Sequence, residues 1–542
     1  MVGHARAGAL AGAALLLTGL LGGCGTTEDD RAAEGTDRGA ASAPSSATPR
    51  GASSATPRGA SSATPGTPSP PSALPAALTS QRPDWKRCTA PGGGSAPGGD
   101  WRCAIVDVPL DYARPDGDTI GIALIRKKAR DKDRRLGSIL FNFGGPGGSG
   151  VSILPRAAES YGYGKLNSRY DLVSFDPRGV ARSAGVVCRT DKKQESALRN
   201  IDLTPDTAAE EAAFMKDATD FGAGCAHRSG KILPYVGTSN AARDMDLLRQ
   251  VLGDEKLTYF GISYGTELGG TYAHLFPSKV GRTVLDAVVD PTADPVGHAR
   301  NQATGFQRAL ENYFKDRGQD PKAGTRRIAR LLERIDQKPL PTDSGRELTE
   351  SLAVTGIVTP LYSESSWPYL SRALDEAEKR GRGTLLLQLA DSYNGRDENG
   401  HYDTQSHAQR AISCADSRPR PTVAEARALL PEFRKLSPVF GPFLAWDTAG
   451  WCARWPVAGE HDHPEVGAPG AAPVLVVGTT GDPATPYEGA RKMADALGKG
   501  VGVLVTNKGE GHGSYGRSAC VTSTVDAYFL DGKVPADGTT CS

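Results

Sequence analysis

Three short stretches of this 542-residue chain hold residues whose types and order could activate a nucleophile. The first is Gly261-Ile262-Ser263-Tyr264-Gly265, the second Thr480-Gly481-Asp482-Pro483, the third Glu510-Gly511-His512-Gly513. A serine hydroxyl attacks poorly until a histidine removes its proton, and that histidine needs an acid to orient it. Ser263 is the candidate nucleophile, His512 the candidate base and Asp482 the candidate orienting acid. Glu510 is the rival acid, but its closeness to His512 in sequence argues that it faces solvent. Glycine on both sides of Ser263 fits a turn too tight for a side chain two residues away. Such a turn lifts the hydroxyl clear of the backbone and aims the next helix N-terminus at it.

Acyl transfer also needs donors for the oxyanion that forms on the attacked carbonyl. One should be the amide of Tyr264, the residue after the nucleophile. The other is expected from the run Gly144-Gly145-Pro146-Gly147-Gly148-Ser149-Gly150, with Gly145 chosen and Gly144 next. This run lacks the Gly-Lys-Ser/Thr ending of a phosphate-binding loop. Among the other histidines, His461-Asp462-His463 lacks further ligands nearby, so no metal site is expected and no cofactor is required. His227, His274 and His298 have no strand-to-loop context, and His401 and His407 lie in a polar stretch where exposure is expected.

The elements that must carry these residues alternate. Ser138–Phe143, Tyr170–Phe175, Leu257–Phe260, Thr283–Val289, Pro473–Gly478 and Gly502–Thr506 read as apolar strands, and a helix around Asp244–Leu252 precedes the third of these. Residues 103–128, alternating about Asp116-Gly117, read as an antiparallel hairpin. Strands alternating with helices argue for a mostly parallel sheet covered on both faces. Between Pro295 and Pro469 helical periodicity takes over, with stripes such as Phe306, Leu310, Tyr313 and Phe314, then Ile328, Leu331, Leu332 and Ile335. The expected fold is α/β, an α/β-hydrolase fold with an inserted, mainly helical cap. Gly-x-Ser-x-Gly between strand and helix is that fold's nucleophile elbow, and the order Ser, acid, His is its order. The division expected is core at 81–294, cap at 295–469 and core again at 470–542.

The N-terminus belongs to neither part. Residues 1–24 combine His4 and Arg6 with an apolar stretch, Ala9–Leu21, too short to remain as a spanning helix. The stretch ends Leu21-Gly22-Gly23-Cys24, which resembles a bacterial lipobox and makes Cys24 the expected lipidation site, with the cell membrane as location and the extracellular face as orientation. Residues 25–80 repeat Ser-Ser-Ala-Thr-Pro-Arg-Gly-Ala from Ser45 and from Ser53, and read as a disordered stalk. Cys24 aside, eight cysteines remain, an even set in an exported chain, which implies disulfides. Pairing between sequence neighbours is expected, since it closes short loops: Cys88 with Cys103, Cys188 with Cys225, Cys414 with Cys452 and Cys520 with Cys541. Formal net charge is +1, which gives no reason to expect a nucleic-acid partner.

Taken together, Gly-Gly-Pro-Gly-Gly at 144–148, Asp-Pro-Arg-Gly at 176–179, Gly-Ile-Ser-Tyr-Gly-Thr at 261–266, Gly-Asp-Pro-Ala-Thr-Pro at 481–486 and Gly-His-Gly at 511–513 resemble the secreted tripeptidyl aminopeptidase family of Streptomyces. This is a branch of the prolyl-aminopeptidase-like α/β-hydrolases that includes actinomycete lipoprotein proteinases. The resemblance runs from about residue 85 to the C-terminus and takes in 411–416. It implies serine exopeptidase chemistry on free peptide or protein N-termini, with Ser263, Asp482 and His512 as the triad. It also implies cap acids that pair with the substrate α-ammonium group, for which Asp416, Asp391 and Glu364 are candidates. Ala181, in the turn after Asp-Pro-Arg-Gly, stands where glycine is commoner, so altered packing without loss of chemistry is expected there. A carboxylesterase on the same fold is the alternative, because a triad does not itself choose amide over ester. A solute-binding lipoprotein is the alternative without catalysis. Oligomeric state is left open.

Overall fold

The structure is a computed structural model and describes residues 74–90 and 96–542. The expected signal segment, Cys24 and stalk residues 25–73 lie outside the described residues. Among the described residues, no helix is long and apolar enough to cross a membrane.

Ten strands form one sheet in the order β1-β2-β3-β5-β4-β6-β7-β10-β11-β12. They are β1 (Lys86–Arg87), β2 (Trp101–Pro109), β3 (Thr119–Lys127), β4 (Gly137–Asn142), β5 (Tyr170–Phe175), β6 (Leu257–Ile262), β7 (Val280–Asp286), β10 (Val474–Gly481), β11 (Gly502–Glu510) and β12 (Thr539–Cys541). A separate pair, β8 (Leu340–Pro341) and β9 (Glu347–Leu348), lies in the insert between β7 and β10. From β5 to β12 all neighbours are parallel, and β1, β2 and β3 form an antiparallel edge. The central strands β4 and β5 are buried at every position, as continuous apolar runs covered on both faces require. This is the α/β-hydrolase fold.

Strand ends depart from the sequence expectation where function begins. The strand expected to reach Val289 stops at Asp286, because Ala287 takes φ 59° and turns the chain out of the sheet. β10 and β11 run on to Gly481 and Glu510, three and four residues beyond their expected ends, and so deliver Asp482 and His512 directly. The helix expected from Asp244 starts at Thr238.

Between β7 and β10 the chain forms eight helices: Pro295–Asp316, Pro321–Gln337, Glu350–Leu361, Trp367–Arg380, Thr384–Tyr393, Gln405–Asp416, Val423–Leu436 and Gly441–Gly450. Both apolar stripes read from the sequence bury into one shared cluster. Two further helices, Asp191–Asn200 and Ala208–Ser229, leave the sheet before β6 and join this layer, with Phe214 packing on Trp446 at 6.1 Å. All four neighbour disulfides are formed: Cys88–Cys103, Cys188–Cys225, Cys414–Cys452 and Cys520–Cys541.

The Asp-Pro-Arg-Gly turn is a brace beneath the site. Arg178 is fully buried and donates to Asp244 at 2.7 and 2.6 Å and to the carbonyls of Pro109, Leu110 and Tyr235. A buried ion pair repays its desolvation only when its donors are matched in this way. Asp176 accepts from Ser149 Oγ at 2.7 Å and from the amides of Val151 and Arg182, fixing the start of the helix Gly150–Ser160. Ala181 sits at φ 41° with its side chain exposed, so the change from glycine is carried as backbone strain and not, as expected, in packing.

Candidate active site

Ser263 stands between β6 and the helix Tyr264–Leu275 at φ 59°, a left-handed conformation that costs a non-glycine residue about 1–3 kcal/mol. The flanking glycines are forced by contact. A Cβ on Gly261 would lie 2.2 Å from Gly265 O, and one on Gly265 would lie 2.6 Å from Asn142 O. The elbow is therefore held against β4, and the Ser263 amide donates to Asp286 O at 3.1 Å.

Asp482 is fully buried just past β10 and meets His512 Nδ1 with both carboxylate oxygens at 3.0 Å. Its Oδ1 also accepts the amides of Ala484 and Thr485, at 3.0 and 2.9 Å, which fixes the carboxylate plane. Thr485 Oγ1 lies 3.3 Å from the same imidazole nitrogen. The His512 amide donates to Tyr362 O at 2.9 Å, and the Tyr362 ring packs edge-on against the imidazole at 5.4 Å. A cap residue thus helps hold the base. Glu510, the rival acid, is half-buried and bonds Asn312 Nδ2 at 2.9 Å, away from His512 and not open to solvent as expected. Ser263 and His512 line one cavity, though no hydrogen bond joins Ser263 Oγ to His512 among the described residues. Contacts of this kind commonly tighten only when substrate is bound.

The two expected oxyanion donors are placed differently by the fold. The Tyr264 amide is the first of its helix and has no partner within it. The Gly144 amide is taken by Asn142 Oδ1 at 3.0 Å, and Gly144 does not line the cavity. Gly145 does, next to a cis bond to Pro146, which favours it over Gly144.

The cavity has a volume of about 780 Å³ and runs between the C-terminal edge of the sheet and the cap. Its apolar walls include Phe143, Phe221, Leu444 and Trp451. Among the seven acids that line it, Glu267 and Asp416 lie close enough to feel each other's charge. Glu267 lies one helical turn past Ser263 and has no hydrogen-bond or ion-pair partner among the described residues. Burial, with the charge of Asp416 nearby, pushes its carboxyl up to about 8. Asp416 accepts from the Thr238 amide at 2.6 Å and from Thr238 Oγ1 at 2.7 Å, and Thr238 Oγ1 in turn meets Tyr264 Oη at 2.6 Å. Burial pushes Asp416 up to about 6 against those hydrogen bonds. An ionised acid in such a place calls for a cation.

Of the three cap acids named from the sequence, Asp416 alone lines this cavity among the described residues. Asp391 pairs with Arg346 and Arg396, and Glu364 begins a short turn outside the cavity. Glu267 was not singled out by the sequence reading. Its signal was an acid one turn past the nucleophile in the helix Tyr264–Leu275. His407 is buried, not exposed: it packs on Phe221 at 5.4 Å, and burial lowers it to about 4. His461 bonds Ser239 and Glu460, each within a hydrogen bond's reach or slightly more, at the cavity's edge.

A family model described as "TAP-like protein" matches residues 437–541. The serine protease Hip1 of Mycobacterium tuberculosis is 36% identical over 463 residues, covering 81% of this chain and 87% of its own. Carboxylesterase B of the same organism is 35% identical over 461 residues, covering 81% and 86%. The tripeptidyl aminopeptidase of Streptomyces lividans is 31% identical over 485 residues, covering 85% and 86%. Likeness over most of each chain, joined to the fold described above, makes the protein a serine hydrolase. It belongs to the tripeptidyl-aminopeptidase-like family of α/β-hydrolases.

Proposed function

We propose that the protein is an extracellular, lipid-anchored serine aminopeptidase that releases short peptides, three residues long, from free N-termini through an acyl-enzyme. Ser263 Oγ attacks the scissile carbonyl while His512 takes its proton, and Asp482 keeps the imidazole in the required tautomer. The amides of Tyr264 and Gly145 receive the oxyanion. His512 then protonates the departing amine, and water, deprotonated by the same imidazole, releases the peptide from Ser263.

The observation that carries the aminopeptidase reading is the half-buried pair Glu267 and Asp416 in the cavity that holds Ser263. A free α-ammonium group is the cation such a pair would take from a peptide. Its distance from the chemistry supports the length. The cap helix Gln405–Asp416 starts at the oxyanion loop, where Gln409 Nε2 reaches Gly145 O at 3.4 Å, and ends at Asp416. From 409 to 416 a helix rises about 10 Å. An extended peptide advances roughly 3.3–3.6 Å per residue, so about three residues fill that span. The Cys414–Cys452 bond ties the acidic end of this helix in place.

The decisive experiment compares tripeptide amides bearing a free or an acetylated N-terminus. Acetylation is expected to raise KM at least about 100-fold, as loss of a buried charge-assisted contact implies. Equal turnover of both would favour the carboxylesterase reading, which the likeness to carboxylesterase B keeps in view. The membrane location rests on the lipobox at Cys24 and the stalk that follows it. Cys24→Ala should move the protein from the membrane fraction to the medium, and unchanged membrane retention would remove the anchor from the proposal.

A further inference from the structure

One fully buried carboxyl beside the triad has no part in the chemistry just described. Asp286 ends β7 and is 2% exposed. Its Oδ2 accepts the amides of Ser514 and Tyr515, both at 2.9 Å, and Ser514 N lies 3.2 Å from Oδ1. These amides follow His512 by two and three residues. The same residue's carbonyl accepts the Ser263 amide at 3.1 Å. On the other side Asp286 is in register with Val477 of β10, the strand that carries Asp482. One residue is therefore bonded to the nucleophile elbow and to the loop of the base, and pairs with the strand of the acid.

We infer that Asp286 is a positioning residue for catalysis, its carboxylate fixing the loop 512–515 so that the imidazole is held over Ser263. The inference rests on the triad reading above. The loop needs such a clamp. Gly511 and Gly513 both take positive φ, 95° and 83°, so the backbone on either side of His512 is in conformations that its own residues do little to enforce. Two amides converging on one buried oxygen lock it from inside the protein, while Tyr362 O holds the His512 amide from the cap. Charges facing the Asp286 carboxyl are those of Asp482 and His512, with the phenol of Tyr163 behind. Burial raises its pKa, and the two amides oppose that rise.

The test uses D286A and D286N in the full chain with a free tripeptide amide. Asparagine can place its carbonyl where Oδ2 stands and keep both amide bonds, whereas alanine keeps neither. A misplacement of the base by about 1 Å costs roughly 100-fold in rate. D286A should therefore lower kcat about 100-fold with KM within about 3-fold, because the ammonium site is untouched, and D286N should restore kcat to within about 10-fold of wild type. Wild-type kcat in D286A overturns the inference. So does a D286N as slow as D286A, since that would assign the effect to charge and not to the clamp. If D286A does not fold, D286S, with one acceptor left, takes its place, and kcat equal to that of D286N again overturns it. A wild-type enzyme inactive on every peptide and ester would instead fell the triad reading itself.

Discussion

Ser263→Ala is expected to abolish hydrolysis of peptide amides and esters alike, by about 10⁶-fold in kcat, and to prevent labelling by a fluorophosphonate probe. The effect is this large because the triad acts as a unit: without the oxygen there is no acyl-enzyme, and the remaining donors stabilise only an attack by water. Stability should change little. Ser263 Oγ makes no hydrogen bond among the described residues, and the left-handed backbone at φ 59° is as strained for alanine as for serine. Cooperative unfolding at the wild-type midpoint, with activity gone, would separate chemistry from fold. Retained turnover would remove Ser263 from the mechanism.

The second large effect concerns the acids. Asp416→Asn should raise KM for a free tripeptide amide by about 10–100-fold and leave turnover of an N-acetylated ester nearly unchanged. The pH dependence follows from the direction of the shifts. Both carboxyls are pushed up, to about 8 and about 6, so near neutrality the pair holds about one proton between its two members. Below about pH 6 the pair becomes neutral and loses its hold on an ammonium group. Above about pH 8 the substrate amine loses its own proton. KM should therefore be lowest between about pH 6 and 8, and D416N should flatten the rise below pH 6. A KM independent of pH and of D416N would leave these acids without a role in binding.

Stability should move the other way. A carboxyl whose folded pKa lies above its unfolded value favours folding less and less as pH rises through that interval, here from about 4 to about 8. E267Q removes this penalty, so the variant should be more stable than wild type at pH 7–8, by about 1–3 kcal/mol, and equal to it near pH 4. A group that weakens the fold and lines the cavity beside the nucleophile is what a stability–activity trade-off predicts.

Much of the fold was legible because each central strand is an unbroken apolar run with a turn signal after it, and the order Ser263, Asp482, His512 is local to strand ends. Neighbour disulfides were legible because short loops close readily. Less legible was where strands stop: Asp286 becomes the last residue of β7 only because Ala287 turns left-handed at the elbow's edge. The helix Ala208–Ser229 precedes β6 in sequence, yet Phe214 on its apolar face packs against the cap residue Trp446.

The residue types alone determined the reaction class, since a strained serine, a histidine and an acid in that order can activate a hydroxyl and do little else. Tertiary structure decided what surrounds that serine. Glu267 and Asp416 are ordinary acids well over a hundred residues apart along the chain, and so are Asp286 and the amides of Ser514 and Tyr515 that it holds. Only folding removes water from them and sets their neighbours. A carboxyl taken out of water draws its chemistry from what replaces it: two backbone amides for Asp286 and, in the proposed function, a substrate ammonium for Glu267 and Asp416.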